Sequence, residues 1–295
     1  MNDPPFDSEL PTSASHDIGD DVLRLTALLL IFYAGSDWLL TIPLKIACGG
    51  ALFSSKLLRS WVLWLGISVL VVFIDGGAWH SIDNHKYLIA YWAICITLAL
   101  SWPSRGSWIA SRNASLLIGL CFFFAFLWKI LAGEYFDGSF MHRVFLTDSR
   151  VAVPASLAGG VPISALSANR SLESMMQWSP SPDVIVELQS SRALSTIAIC
   201  ALYWTLLLEA LIAFLWLIPI GKNSLVKDVA LIAFILTTYV LLPVVGFATV
   251  LSVMGYAHAS GRGRRCVAAA YLGVVALVQL ASVPWGGLVS RMAMA

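Results

Sequence analysis

Charge is scarce in this chain. Asp, Glu, Lys and Arg make up 12% of its 295 residues and hydrophobic residues 59%, whereas a soluble domain carries about 25% charge. The formal net charge is +1, and the basic residues fall in short clusters between apolar runs, so no broad basic surface is available for nucleic acid. The composition predicts an integral membrane protein whose main partner is the lipid bilayer.

Paired cysteine motifs and a signal sequence are also lacking. The five cysteines are scattered without a C-x-x-C spacing, which argues against a redox or zinc site, and we interpret them as small buried hydrophobic residues. His80, His85 and His142 do not have the i, i+4 spacing of helical metal ligands, so no metal is predicted. Residues 1–21 lack a basic segment before a short apolar one, and we expect a disordered acidic tail rather than a cleavable signal.

Long apolar runs dominate the rest of the sequence. A bilayer core of about 30 Å needs roughly 20 apolar residues per helix. Such runs lie at residues 22–42, 61–79, 87–102, 115–131, 195–219, 229–256 and 266–289. The pattern predicts an all-α fold, with residues 22–295 forming one polytopic transmembrane domain of about seven spans. Pro243 and Gly246 interrupt the sixth run, so a sixth span broken into two halves, and a count of eight, is the alternative.

Basic residues in short loops predict the orientation, because they are retained on the cytoplasmic side. The loops after the first, third and fifth runs carry Lys45, Lys56, Arg59, Arg105, Arg112, Lys222 and Lys227. The acidic tail and the segment 132–192 are then expected outside. Arg262, Arg264 and Arg265 conflict with this orientation unless the sixth run crosses twice. The composition of residues 132–192 predicts loop with short helices, folded over the outer face as a cap.

Lys129 is the most informative single residue, because it ends an otherwise apolar run, FFFAFLWK. An unpaired ammonium in a bilayer core costs about 2.5–3.5 kcal/mol on insertion scales, so an intramembrane lysine is a functional-site hypothesis. A lysine in an apolar pocket can lose its proton and act as a general base. The alternative is a snorkelling lysine, whose stem is buried and whose ammonium reaches the interface.

Three further groups could accompany Lys129. Tyr135, Asp137 and Gly138 follow it within a few turns and place an acidic residue and a turn at the same interface. Asn84 and His85 begin the third run, where His85 could shuttle protons or belong to an interfacial His and Tyr belt. Glu209 lies in the middle of the fifth run, and a carboxylate there needs a partner, for which Lys129 or a backbone donor is the candidate.

Together these groups resemble the vitamin K-dependent γ-carboxylases and their bacterial HTTM relatives. The lysine segment of that family is aromatic-rich helix, lysine, aromatic residue, acidic residue and glycine, and residues 122–141 follow it with Lys129, Tyr135, Asp137 and Gly138. The stretch Asn84-His85-Lys86-Tyr87-Leu88 is similar to the family's N-H-x-Y-L, and Glu209 lies where the family carries an acidic residue in the next span.

The resemblance implies a membrane enzyme of a bacterial cytoplasmic membrane. Lys129 would be the base that deprotonates a reduced quinone such as vitamin K hydroquinone, His85 would stabilise the developing charge, and Asn84, Tyr135, Asp137, Gly138 and Glu209 would support them. A lipid quinone and a peptide substrate are the implied partners, with carboxylase and epoxidase chemistry. The alternative is a non-enzymatic maturation, immunity or assembly factor for a secreted peptide, and a transporter is a third hypothesis.

Overall fold

The chain is all-helical in a computed structural model that describes residues 17–32, 37–76, 84–133, 135–178, 187–218, 225–239, 242 and 244–281; those ranges contain no strand. The helices of the first part are α1 Asp20–Ile31, α2 Trp38–Phe53, α3 Ser55–Leu58, α4 Trp61–Gly76, α5 Asn84–Ser101 and α6 Gly106–Ala132. Those of the second part are α7 Ser139–Thr147, α8 Ala152–Gly159, α9 Ile163–Trp178, α10 Arg192–Leu217, α11 Val226–Phe234, α12 Val245–Ser260 and α13 Arg265–Ala281.

The helices form two compact units. The first contains Met1–Ala114 with Val253–Ala268, and the second contains Ser115–Ser252 with Ala269–Ala295. Among the described helices, α6, α12 and α13 each pass from one unit into the other.

Helical hairpins build the first unit. α1 packs on α2, α2 on α4, and α4 on α5. Buried polar side chains bridge neighbouring helices: Trp92 Nε1 donates to Thr26 Oγ1 at 3.0 Å, and Ser68 Oγ lies 3.0 Å from Thr97 Oγ1. Each hydroxyl also bonds a carbonyl one turn earlier in its own helix, which satisfies polar groups that could not be solvated in an apolar interior.

One end of the first unit collects most of its basic residues. Arg59 forms ion pairs with Asp17 and Asp20, and the loop before α6 lies against the same segment, since a Cβ at Gly106 would be 3.3 Å from Ile18 N. The turn after α12 also comes here, because a Cβ at Gly261 would be 3.0 Å from Ser111 Cβ. We call this end the basic face; its cationic residues are Lys56, Arg59, Arg105, Arg262, Arg264 and Arg265.

The first apolar run is not one span, contrary to the prediction for residues 22–42. α1 ends at Ile31 and α2 begins at Trp38, where Asp37 caps it by accepting a hydrogen bond from Leu39 N at 2.8 Å. The two helices form a hairpin, so the chain returns to its starting side. The expectation that the acidic tail and Arg59 lie on opposite sides is therefore wrong for Asp17 and Asp20; most of the tail, residues 1–16, lies outside the described residues.

Three other residues assigned to loops are placed differently from the prediction. Lys45 lies within α2 and Arg112 within α6, where both are exposed. Lys227 was assigned to a cytoplasmic loop, yet it lies in the first turn of α11 and is buried. Long basic side chains are compatible with helix surfaces and helix ends, so an arginine or lysine beside an apolar run does not by itself mark a loop.

The sixth run is broken, as the alternative prediction has it. α11 continues into a π-helical segment, Ile235–Tyr239, and α12 starts at Val245, with Leu242 and Val244 outside any helix. Pro243 itself lies outside the described residues. Gly246 lies in the first turn of α12.

The described part of the segment 132–192 contains two short helices, α7 and α8, as predicted, and the longer α9. Leu146 of α7, Ala155 of α8, Leu166 of α9 and Leu194 at the start of α10 share one buried apolar cluster. Ser191 caps α10 by accepting a hydrogen bond from Leu194 N at 3.0 Å. The cap helices are thereby fixed to the beginning of α10.

Two stretches of the described chain are long and apolar enough to cross a membrane, Pro103–Ala132 and Arg192–Leu217. The first comprises a 3₁₀ turn and α6, and the second is α10. Shorter apolar helices occur at Trp38–Phe53, Trp61–Ile74 and Arg265–Ala281.

Candidate functional site

The candidate site lies between the two long apolar helices of the second unit. α6 and α10 run antiparallel, because Ser115 Oγ donates to the carbonyl of Trp216 at 3.3 Å, near the end of α10, whereas Lys129, later in α6, contacts Glu209, earlier in α10. Gly119 of α6 lies against Leu217. A Cβ at Gly119 would be only 2.7 Å from Leu217 Cδ2. Glycine therefore allows the helices to approach closely, as small residues do in membrane helix pairs.

Further along this register, Lys129 meets Glu209. Lys129 Nζ donates to Glu209 Oε1 in an ion pair, with 19% of the lysine side chain and 6% of the glutamate side chain exposed. The predicted partnership of the two residues is present. The pair gives each charge a counter-charge in an apolar setting, where removal of one partner would be costly.

The carboxylate of Glu209 has one hydrogen-bond acceptor that the described residues do not use. Its second oxygen, Oε2, is buried and has no hydrogen-bond partner in the part of the chain that the structure describes. A carboxylate oxygen without a donor is rare in a protein interior and calls for an explanation. The Lys129–Glu209 pair therefore presents an unused acceptor rather than a fully satisfied bridge.

Cys121 and Tyr239 complete the surroundings of this pair. Both lie within electrostatic range of Glu209. Tyr239 ends the π-helical segment and packs its ring against Phe234 and Phe247, at 5.3 and 5.6 Å between ring centroids. The sequence did not identify Tyr239, because only the π-helical turn, a feature often found at functional sites, brings it to this position.

Of the residues that follow Lys129, Tyr135 approaches it. The Tyr135 ring centroid is 5.9 Å from Lys129 Nζ, within the range of a cation–π contact. Asp137 is exposed, and its Oδ1 accepts a hydrogen bond from Ser139 N at 2.9 Å; bonds from Ser139 lower the pKa of this carboxyl. Gly138 starts α7 with φ +79°, a conformation that favours glycine. Asp137 and Gly138 thus shape the turn.

Asn84 and His85 lie in the first unit, at the beginning of α5. Asn84 is exposed and His85 half-buried, and His85 engages other groups there. Their convergence with Lys129 stays a prediction. His80 lies outside the described residues, and the described residues contain no group of three or more His, Cys, Asp or Glu that could hold a metal ion.

A second buried polar cluster was missed by the sequence interpretation. Tyr271 donates its hydroxyl proton to Asp228 Oδ1 at 3.0 Å, and both residues are fully buried. Lys227 Nζ lies 4.8 Å from the Trp216 ring, while Trp216 Nε1 donates to the Lys227 carbonyl at 3.2 Å. The available signal was the adjacent Lys-Asp dipeptide before an apolar run, which can mark a buried pair as well as a loop.

In the cap, His142 joins α7 to the start of α10. Its Nε2 lies 2.6 Å from Ser190 Oγ and 3.3 Å from Ser195 Oγ. Burial lowers the pKa of His142, because desolvation disfavours the imidazolium. The imidazole is therefore neutral near pH 7 and acts as a hydrogen-bonding link.

Comparison with protein-family models, with curated proteins and with solved structures finds no match to this chain. The resemblance to the carboxylase-like family therefore stays a prediction that rests on the residues quoted above. Chemically, the site offers a buried amine and carboxylate in contact, one open carboxylate oxygen, a phenol and a thiol, all within a region of apolar helices.

Proposed function

We propose that the chain is an integral membrane protein of the HTTM and vitamin K-dependent γ-carboxylase type, in a bacterial cytoplasmic membrane. The apolar side chains exposed on the helix surfaces support a lipid environment. On α10, large apolar side chains are exposed at every third or fourth position, at Ile199, Tyr203, Leu207, Leu211 and Phe214. In water so continuous an apolar surface is unfavourable, whereas lipid solvates it.

The proposed bundle has seven crossings. α4, α5, α6, α10 and α13 cross once each, and the broken sixth run crosses twice. The α1–α2 hairpin adds none, because both its ends lie at the basic face and the twelve residues of α1 extend only about 18 Å. This arrangement returns Arg262, Arg264 and Arg265 to the side of Arg59, which removes the conflict in the orientation.

With the basic face in the cytoplasm, Lys129 lies near the outer surface. It is 23 residues along α6 from Gly106, or about 35 Å at 1.5 Å per residue. The cap that follows α6 would then cover the outer end of the site. A lipid-soluble substrate could reach the pair from the bilayer, and a peptide could reach it from the cap side.

The buried Lys129–Glu209 pair is the observation that carries the enzymatic proposal. A reduced quinone such as vitamin K hydroquinone would supply an acidic hydroxyl, and Glu209 Oε2 fits it because a hydroxyl needs an acceptor. In the proposed chemistry Lys129 holds or accepts a proton at Nζ, and the Tyr135 ring lies beside its ammonium. His85 remains a proposed stabiliser of negative charge.

The second candidate is a non-enzymatic maturation, immunity or assembly factor. The observation in its favour is that Glu209 already neutralises Lys129. An ion pair whose only role is to hold α6 against α10 requires this neutralisation. In this alternative the cap would be the surface for a secreted peptide.

One experiment separates the two functions. Protein purified from its native membrane is extracted with organic solvent, and quinones are identified by mass spectrometry. K129M and K129R are then compared with the wild type in a strain whose deletion phenotype has been established. The enzymatic proposal expects a retained quinone and loss of function in K129M. Loss of function in K129R as well would assign the base to Lys129 itself, because a guanidinium stays protonated. Absence of a quinone together with full function in K129R would favour the structural role.

A further inference from the structure

The contact between Lys129 and Glu209 restricts which of the two can accept a proton. An ammonium has three donors and no lone pair, whereas an ionised carboxylate offers acceptor sites on both oxygens. Glu209 Oε1 is occupied by Lys129, and Oε2 is buried without a hydrogen-bond partner in the described chain. In this geometry the open acceptor of the pair belongs to the glutamate.

Other titratable groups around Glu209 leave this assignment intact. Cys121 comes from α6 and Tyr239 from the π-helical segment, and both are proton donors in their neutral forms. Lys227 and Asp228 of α11 belong to the cluster at Trp216, seven residues along α10 from Glu209, or about 10 Å. Asp228 already accepts a hydrogen bond from Tyr271.

We propose that Glu209 is the proton-accepting residue of this site, through Oε2, and that Lys129 is a positioning residue that holds Oε1 and remains an ammonium. The proton donor is a hydroxyl of a lipid-soluble ligand, and that part rests on the proposed function. The proton leaves the ligand hydroxyl and bonds to Oε2, and the electron pair of the broken O–H bond stays on the ligand oxygen. Glu209 is then a neutral carboxylic acid beside the Lys129 ammonium.

This assignment gives Lys129 a definite task. An ammonium in contact with Oε1 favours the ionised carboxylate, which would otherwise take up a proton in an apolar site. It also offers a counter-charge to the ligand oxyanion formed by the transfer. Arginine at position 129 should still stabilise the ionised Glu209 carboxylate, because it retains the positive charge. Methionine at this position should abolish that stabilisation.

Infrared difference spectroscopy tests the protonation directly. Full-length protein in lipid vesicles is titrated between about pH 5 and pH 9, and the carbonyl band of a protonated carboxylic acid is assigned to Glu209 by its absence in E209Q. D228N is the matched control, since Asp228 is another buried carboxylate. In K129M we expect the Glu209 band to appear at a pH higher by at least about one unit, with the wild-type profile restored in K129R.

Dicyclohexylcarbodiimide, a membrane-soluble reagent for protonated carboxyl groups, provides a second measurement. We expect mass spectrometry to find modification of Glu209 that increases in K129M and disappears in E209Q. Neither a Glu209 band nor modification in the wild type or K129M across the pH range would overturn the proposal. Because these readouts need no substrate, the absence of a retained quinone would reject the proposed function while leaving the proton-acceptor assignment standing.

Discussion

Lys129 and Glu209 should stabilise the protein as a pair. K129M leaves a carboxylate with a 6% exposed side chain without its counter-charge, which we expect to cost about 3–5 kcal/mol of unfolding free energy. K129M/E209Q removes both charges and should recover most of that loss. The measurement is a double-mutant cycle by denaturant titration in mixed micelles.

The control for this cycle is the exposed pair of Arg143 and Glu173, in which 63% of the arginine side chain is exposed. R143M and E173Q should show a coupling of about 0–1 kcal/mol, as surface pairs do. If the losses in K129M and E209Q simply add in the double variant, the two residues do not act together.

His142 should make the attachment of the cap sensitive to acid. Burial lowers its pKa, so the unfolded chain takes up a proton at a higher pH than the folded cap does. Stability is therefore fully present above about pH 6.5, the ordinary value for histidine, and is lost as the pH falls below it. The protection factors of the α7 amides, which correct for the pH dependence of intrinsic exchange, should fall as the pH is lowered from about 6.5 to about 5.5, and H142Q should remove this pH dependence.

Gly138 determines the entry into α7 at the scale of the element. Its φ of +79° disfavours a side chain, and an added Cβ would lie 3.0 Å from Ile199 Cγ1 on α10. Gly133 has φ +71° but no atom within 4 Å of such a Cβ. G133A should therefore cost about 1–2 kcal/mol for the backbone conformation alone, and G138A should cost more. The comparison is made by thermal unfolding, and equal losses would exclude the contact with Ile199.

Helix boundaries were predictable where the sequence contains a local end signal. α10 begins directly after Ser191, whose side chain caps it, and α5 follows the predicted third run closely because turn residues bound it on both sides. The division between α1 and α2 was missed although Gly35, Ser36 and Asp37 form a turn and N-cap signal, because long apolar stretches flank these three residues. Periodicity does not distinguish one long helix from two short helices joined by a capped turn.

The candidate site was predictable for residues whose charge is conspicuous. Lys129 and Glu209 stand out in apolar runs, and their pairing follows from the cost of isolated charge. Tyr239 and Cys121 could not be identified in this way, since phenols and thiols are ordinary in apolar helices. Asp228 was overlooked because a neighbouring lysine made the segment resemble a loop, and only tertiary packing buries it against Tyr271.

At the scale of the whole molecule, the basic face explains why loop charges alone gave conflicting orientations. The count of crossings before Arg262 depended on two runs, the first and the sixth, that are both divided. Each division reverses the chain direction for everything that follows. Contacts of Arg59 with Asp17 and of the turn at Gly261 with Ser111 bring the clusters to one end, and a single rule for positive residues then orients the entire first unit.

The orientation itself is testable with single cysteines. The five native cysteines are replaced, and S171C in α9 is compared with K56C in α3, both at exposed positions. With the basic face in the cytoplasm, a membrane-impermeant maleimide should label S171C in intact cells, and K56C only after permeabilisation. The reverse pattern would place the cap and the Lys129 end of α6 in the cytoplasm. An outer-face site would then be excluded, although the Lys129–Glu209 pair would keep its predicted coupling, because that coupling depends on burial and not on which side of the membrane the pair faces.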